Sequence, residues 1–457
     1  MENVDKVIDQ ALTILRKKPV DGYEVYLEES SHFEVESKNA KVDTLEASRS
    51  WGLAIRVLKS ERIGFSYTTS PILSPTELEE KVQDAIASAE VTSPDPCFDF
   101  APVLGDLPQN LPIFDGSLER VTEGEKIGKA KLLEEVTRSV DPDRVKKVRK
   151  ASYQEEISHI TLINSNGLYF SYDTTLTSIN VMAVAERSGE SEVGWDFDSS
   201  HFFSDLDVRR VGEAAGRKAL ERLGGRRISS GTFPVILDRY VASEFLSLLA
   251  HSFSAEQVLK GKSPLMGKRG ERFFSPLLSI LDDGLFPKGV STLPIDGEGM
   301  PSQRTPLVVE GEVSGYLYDR FWANRENLLS KEARTESTGN SRRLGIKFPP
   351  GLGTSNFFIT PGKATFQSLL KEVQKGLVVE EVMGVHTVDP ISGDFSLGCS
   401  GQWVEGGEKV HPVKGIAIAG NLFQLFKRVK GIGEDLRFFG KIGSPSLLIE
   451  SLEISGN

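Results

Sequence analysis

Cysteine is nearly absent from this 457-residue chain. Cys97 and Cys399 cannot build a disulfide framework, and no CxxC pair is present to hold a structural zinc. That usage fits a reducing compartment. Long apolar runs are also missing, with nothing near the roughly 18 residues of a membrane span. The N-terminal stripe Val7, Ile8, Ala11, Leu12 and Leu15 is interrupted by Asp9 and Gln10. It therefore reads as an amphipathic helix and not as the apolar stretch of a signal peptide. A cytoplasmic chain with no membrane contact is expected. Positive charge is in deficit as well. The 54 Lys and Arg are outnumbered by 65 Asp and Glu, giving a net charge of −11, which argues against nucleic-acid binding. The basic pairs Arg226-Arg227 and Arg342-Arg343 are expected to be solvated turn residues. Catalytic signatures are lacking too: there is no HExxH, GxSxG or P-loop, and no GxGxxG follows a strand.

What is present is a folded, two-part α+β chain. Apolar residues make up 39% and charged residues 26%, enough of both for packed cores, and the length calls for more than one of them. The first half repeats itself. Tyr23 is read as the counterpart of Tyr153, Ser31-His32 of Ser158-His159, and Phe65 of Trp195, all at offsets near 130 residues. Alternating stretches such as Leu53-Ile55-Val57 predict half-exposed antiparallel strands. Each repeat reads as helix, three or four strands, helix. The paired histidines, each beside serine at a strand start, are expected to be structural. Between the copies five prolines, at 94, 96, 102, 108 and 112, predict an extended strap. Its Phe98, Phe100, Leu104, Ile113 and Phe114 are expected to pack on the surface. The expected organisation is a duplicated helix–antiparallel-strands–helix domain over 1–225, with repeats of about 1–92 and 119–225 and the strap at 93–118. A strand-rich, mixed α/β domain follows over 231–457.

Six segments of the second half carry a further signal. They are Asp296-Gly297-Glu298-Gly299, Ser337-Thr338-Gly339-Asn340-Ser341-Arg342-Arg343, Gly376-Leu377-Val378-Val379, Asp389-Pro390-Ile391-Ser392-Gly393-Asp394, Gly401-Gln402-Trp403-Val404 and Pro412-Val413-Lys414-Gly415. In that order they resemble the TldD/PmbA family, and the duplicated first half extends the resemblance over essentially the whole chain. Taken alone, the first of them has two carboxylates that suit a turn better than a calcium loop.

The resemblance implies the following. The TldD branch looks like a zinc peptidase with an HExxxH pattern on the first helix of the C-terminal domain and a late cysteine. Here that helix reads Leu246-Ser247-Leu248-Leu249-Ala250-His251. Leu246 takes the place of the first ligand, Ser247 that of the glutamate base, and His251 that of the second ligand. Phe439 of Phe439-Gly440-Lys441 takes the place of the cysteine. Leucine and phenylalanine cannot ligate zinc. The chain therefore resembles the PmbA branch, also called TldE. That branch implies no catalytic residue, metal or cofactor in this chain, with zinc in a TldD-like partner subunit of a heterodimer or larger assembly. Alone, the chain is open to pairing with itself as a homodimer. Substrates would be small or unfolded peptides, and Gly339, Asn340, Gly393 and Gly401 are expected to wall a peptide groove. Two other readings stand beside this one. The first is a self-sufficient hydrolase drawing on His251, His386, His411 and Cys399. The second is a non-enzymatic modulator of DNA gyrase.

Overall fold

The computed structural model describes residues 2–103, 107–108, 110–330 and 334–456. Leu104 of the strap lies outside these. The first repeat comprises α1 (Glu2–Leu15), β1 (Gly22–Lys38), β2 (Lys41–Lys59), β3 (Arg62–Thr68) and α2 (Pro75–Val91). The second comprises α3 (Glu123–Ser139), β4 (Val145–Asn164), β5 (Tyr169–Arg187), β6 (Glu190–Ser200) and α4 (Val208–Glu221). Local sequence sets these bounds at the helix starts and the hairpin turns. Ser74 and Glu77 form a capping box at the start of α2, and Thr122 and Glu125 form one at the start of α3. The β2–β3 and β5–β6 hairpins close through Ser60-Glu61 and Ser188-Gly189, all four with positive φ, as the twist of a two-residue hairpin demands.

The six strands form one antiparallel sheet in the order β3-β2-β1-β4-β5-β6, so the repeats join through the β1–β4 seam. One face of the sheet is covered by helices. Val25, Leu27, Leu53, Ile55 and Val57 pack with α1 and α2, while Ala151, Tyr153, Ile179, Val181 and Ala183 pack with α3 and α4. Gly64 and Gly194 let those helices sit against the strands. A Cβ at Gly64 would lie 2.0 Å from the Ala85 oxygen, and one at Gly194 would lie 2.3 Å from the Ala215 oxygen.

That match also corrects the repeat alignment. Phe65 and Trp195 follow the two glycines and are equivalent. Val57 faces Gly64 and Ala183 faces Gly194, so Leu53 matches Ile179 four residues back, and their partners Leu27 and Tyr153 match each other. Tyr23 is not the counterpart of Tyr153. The β5–β6 hairpin is longer than β2–β3, and β4 carries two register shifts, so no single offset serves all strands. By the same register Ser31 matches Ile157, which it faces across the seam, so a pseudo-twofold axis passes there. His32 therefore matches Ser158 and not His159. His159 Nδ1 lies 2.7 Å from the Asp173 carboxylate on the next strand, a local contact.

The C-terminal domain starts with β7 (Gly231–Leu237) and α5 (Arg239–Ala250). β7 sits in a six-stranded sheet between Lys375–Met383 and Leu447–Ser455. Pairing of Glu408–Asn421 with Leu447–Ser455 closes that sheet into a barrel. A second six-stranded sheet runs from Glu312–Val313 to Arg437–Phe439, and α5 packs into the core shared with it. The strap ties the two parts together. Ile113 pairs with the β5 edge through the Thr175 N–H at 2.9 Å, and Asp95 and Asp99 pair with Arg325 and Arg320 of the helix Arg320–Leu329.

Buried charge locks the halves further. Glu24 on β1 is 1% exposed and accepts from Arg56 Nε and Nη2 at 2.9 and 3.0 Å. It also accepts from Arg343 of the C-terminal domain, whose side chain is 5% exposed and stacks over Tyr26. Arg343 was expected in a solvated turn. It is buried because Glu24 and the Tyr26 ring give its charge a partner on the far side of the domain interface. Arg226 and Arg227 are exposed. Asp296 folds its segment into a turn, its carboxylate accepting from the Glu298, Met300 and Ser341 N–H groups at 2.9, 2.9 and 3.0 Å.

Glu298 then faces Arg56 at 3.5 Å. Burial, together with Asp319 and Asp296, pushes its carboxyl up to about 8 against the pull of Arg56. The folded chain thus holds this proton more tightly than the unfolded chain, whose carboxyl has the ordinary value near 4.5. Stability from this group is full below the unfolded value and is lost as pH rises through about 8. Thermal unfolding should therefore show a lower melting temperature at pH 9 than at pH 6, and Glu298→Gln should flatten that difference. An unchanged slope in the variant would assign the pH dependence to other groups.

Candidate functional site

On β6 the alternation that turns Gly194 toward α4 turns Trp195, Phe197 and Ser199 to the opposite, helix-free face. There they meet α5. Asp238 caps that helix by accepting from the Val241 N–H at 2.9 Å, and burial pushes its carboxyl up to about 6. The first turns of α5 present Tyr240 and Glu244, and the strand Arg437–Phe439 adds Phe439. Together these elements enclose a cavity of about 640 Å3 between the duplicated sheet and the C-terminal domain. Its aromatic wall is continuous. Tyr240 lies edge-on to Trp195 at 4.8 Å and to Phe439 at 5.3 Å, and Phe197 lies 6.0 Å from Phe439. Burial and the neighbouring Glu244 push the Tyr240 hydroxyl up to about 12. Glu244 itself is raised by burial alone.

The expected site residues are not assembled here as a set. Phe439 lines the cavity, but Leu246 is fully buried in the core of the C-terminal domain beside Phe245 and Leu249. A ligand at 246 would point into that core. Helical spacing continues the Tyr240–Glu244 stripe through Ser247 and His251, which are both exposed. His251 lies about 16 Å along the axis from Tyr240. Of that ligand set, position 439 lines the cavity, position 251 lies beyond it along the helix, and position 246 is turned into the core. Among the described residues no three His, Cys, Asp or Glu side chains are grouped to hold a metal ion. The cavity offers carbon walls where zinc needs nitrogen, sulfur or clustered carboxylate donors, so these residues do not fit zinc.

Gly339, Asn340, Gly393 and Gly401 do not wall a groove. All four are buried. Asn340 donates to Asp282 and the Gly353 carbonyl at 2.7 and 3.1 Å. A Cβ at Gly339, Gly393 or Gly401 would meet the Pro301 oxygen, the Phe423 ring or the Val378 oxygen at 2.4, 2.7 and 1.8 Å. These residues serve close packing inside their own domain.

The hydrolase candidates are equally scattered in role. Cys399 is buried, with its thiol pushed up to about 12 by burial. His386 is exposed, and His411 Nδ1 lies 3.0 Å from the adjacent Pro412 carbonyl. The residues that sequence reasoning missed are Tyr240 and Glu244. Their i, i+4 spacing on an otherwise apolar helix was the available sign.

These features define a two-part α+β protein with an aromatic cavity held between a duplicated sheet and a barrel-bearing domain. Three family models match in sequence: PmbA/TldA metallopeptidase domain 1 over residues 23–89, the central domain over 116–223 and the C-terminal domain over 230–456. The chain belongs to the PmbA/TldD family of metallopeptidases. It is 28% identical to the metalloprotease PmbA of Escherichia coli O157:H7, over 99% of this chain and 96% of that protein. It is also 26% identical to a metalloprotease TldD homolog of Haemophilus influenzae, over 89% and 86%. Its structure is similar to that of a candidate modulator of a DNA gyrase from Thermotoga maritima, with a TM-score of 0.88, 27% identity and coverage of 99% and 100%. The TldE structure from Thermococcus kodakarensis shares the fold, with a TM-score of 0.87 at 21% identity and coverage of 99% and 100%. Among the described residues no helix is long and apolar enough to cross a membrane.

Proposed function

We propose that this chain is the metal-free subunit of a two-component, cytoplasmic metallopeptidase that processes small or unfolded peptides. The carrying observation is the donor set. The family fold extends over the chain, yet the cavity beside α5 is walled by Phe439, Tyr240 and Trp195 and, among the described residues, gathers no cluster of His, Cys, Asp or Glu to hold zinc. A TldD-like subunit would supply the zinc and the water it activates. This chain would build one wall of the enclosure and dock the catalytic subunit.

The test has two arms. Elemental analysis after chelator-free purification should find no stoichiometric zinc, and about one zinc per chain would overturn the reading. Mixing with a zinc-bearing paralogue should give a complex stable on size-exclusion chromatography, with chelator-sensitive peptidase activity that neither subunit shows alone. A stable complex implies a contact of about 1,000 Å2 or more. Cleavage by the isolated chain at a rate unchanged by chelator and by partner would favour the self-sufficient hydrolase.

A further inference from the structure

The helix-free face of the duplicated sheet is treated differently in its two halves. Over the first half, Ile295, Met300 and Ile346 of the C-terminal domain pack on Tyr26, Ala54 and Phe65, and beyond them Glu28, Ser30, Ser50 and Gly52 line a separate cavity. Over the second half the equivalent face carries Trp195, the counterpart of Phe65, and there it is an open cavity. Around Phe65 the scaffold is thus packed as core, whereas around its counterpart Trp195 it is a container. The volume of about 640 Å3 suits a side chain with its flanking backbone.

The charges around the container are uneven. Arg437 sits 4.9 Å from the Phe439 ring centre and Lys218 sits 5.3 Å from that of Trp195. Both line the neighbouring cavity and are paired with Asp196. Lys150, the one cation lining the aromatic cavity among the described residues, is held by Glu34 and Glu36. Glu244 faces the cavity with no hydrogen-bond or ion-pair partner among the described residues, and nothing offsets its burial. A half-buried carboxylate without a partner, next to ring faces of negative potential, favours a positive guest. An inorganic cation would have to exchange its water shell for carbon walls, so the favoured guest is an organic cation that tolerates apolar contact.

We propose that this cavity binds an ammonium or guanidinium group carried by a peptide, with Glu244 as counter-ion and Tyr240, Trp195 and Phe439 as walls. The peptide as carrier rests on the function proposed above, whereas the charge preference does not. Lysine and arginine side chains and a free amino terminus share this chemistry, and the probes separate them.

Isothermal titration calorimetry on the whole chain would compare five-residue alanine peptides. The first is blocked at both ends with a central lysine, the second has norleucine instead, the third has arginine, and the fourth has no cationic side chain but a free amino terminus. At least one cationic peptide should bind about tenfold or more tighter than the norleucine peptide, the usual scale for a charge-assisted contact. Glu244→Gln should abolish that preference while its melting temperature stays near that of the parent chain. Phe439→Leu, which keeps the apolar volume, should weaken the cationic peptide severalfold. Equal binding of cationic and neutral peptides overturns the proposal, as does no binding at all or a preference that survives Glu244→Gln. A chain that assembles with its zinc-bearing partner yet ignores peptide charge loses only this proposal. A chain that selects cationic peptides but never assembles loses only the subunit reading.

Discussion

Glu24→Ala is expected to destabilise the protein by about 3–5 kcal/mol, the usual cost of removing one member of a buried ion pair. The carboxylate is 1% exposed and binds Arg56 through two nitrogens. It also receives Arg343 from the other domain. Its loss removes the carboxylate that both guanidiniums share in a dry interface, leaving Arg56 with Glu298 at 3.5 Å and Arg343 without its acid. The damage should be directional. Because Arg343 belongs to the C-terminal domain and Glu24 to β1, the interface should open before either core melts. Urea unfolding at pH 7 followed by fluorescence would measure the loss, and limited proteolysis would test whether cleavage concentrates in the strap. A loss below about 1 kcal/mol would mean that water or a neighbouring acid replaces the carboxylate at little cost.

Gly194→Ala and Gly64→Ala should each cost about 3 kcal/mol, the upper end for overpacking. The added carbon at 194 would lie 2.3 Å from both the Ala215 oxygen and the Ala219 nitrogen. At 64 it would lie 2.0 Å from the Ala85 oxygen and 2.5 Å from the Ala89 nitrogen. These contacts are helix backbone, so the only relief is to lift α4 or α2 off the sheet and loosen its core. Gly128→Ala is the contrast. It sits inside α3 with nothing within 4 Å of the new carbon, and alanine should stabilise it by about 0.5–1 kcal/mol. Melting curves of the three variants check both signs at once. Similar losses at 64 and 194 are what equivalent positions require, and a tolerated alanine at either would separate the two repeats.

The duplicated organisation was legible because it is written in local signals, namely the recurring residues of the two copies and their period-two strands. Register was not. The longer β5–β6 hairpin shifts the offset between the copies so that Tyr153 matches Leu27 and not Tyr23, and no local residue pattern announces such a slip. The same held at the site. Phe439, singled out only as the residue in the cysteine's place, lines the cavity, but Leu246 and Glu244 differ by two positions on one helix and so face opposite ways. Deciding which side faces the cavity required the sheet that supplies Trp195, some 45 residues upstream. Arg343 was misread for a related reason, since its partner Glu24 lies in the other domain.

The seam at Ser31 and Ile157 bears on how the chain folds. Every other neighbouring pair in this sheet is a hairpin between strands that follow one another, whereas β1 and β4 come from different repeats. Each three-stranded half can collapse onto its own helices early, at small entropic cost. The seam must then bring together two preformed halves across the strap, pairing fourteen residues on each side. Pairings this distant in sequence slow folding, so the halves should form ahead of the sheet they share.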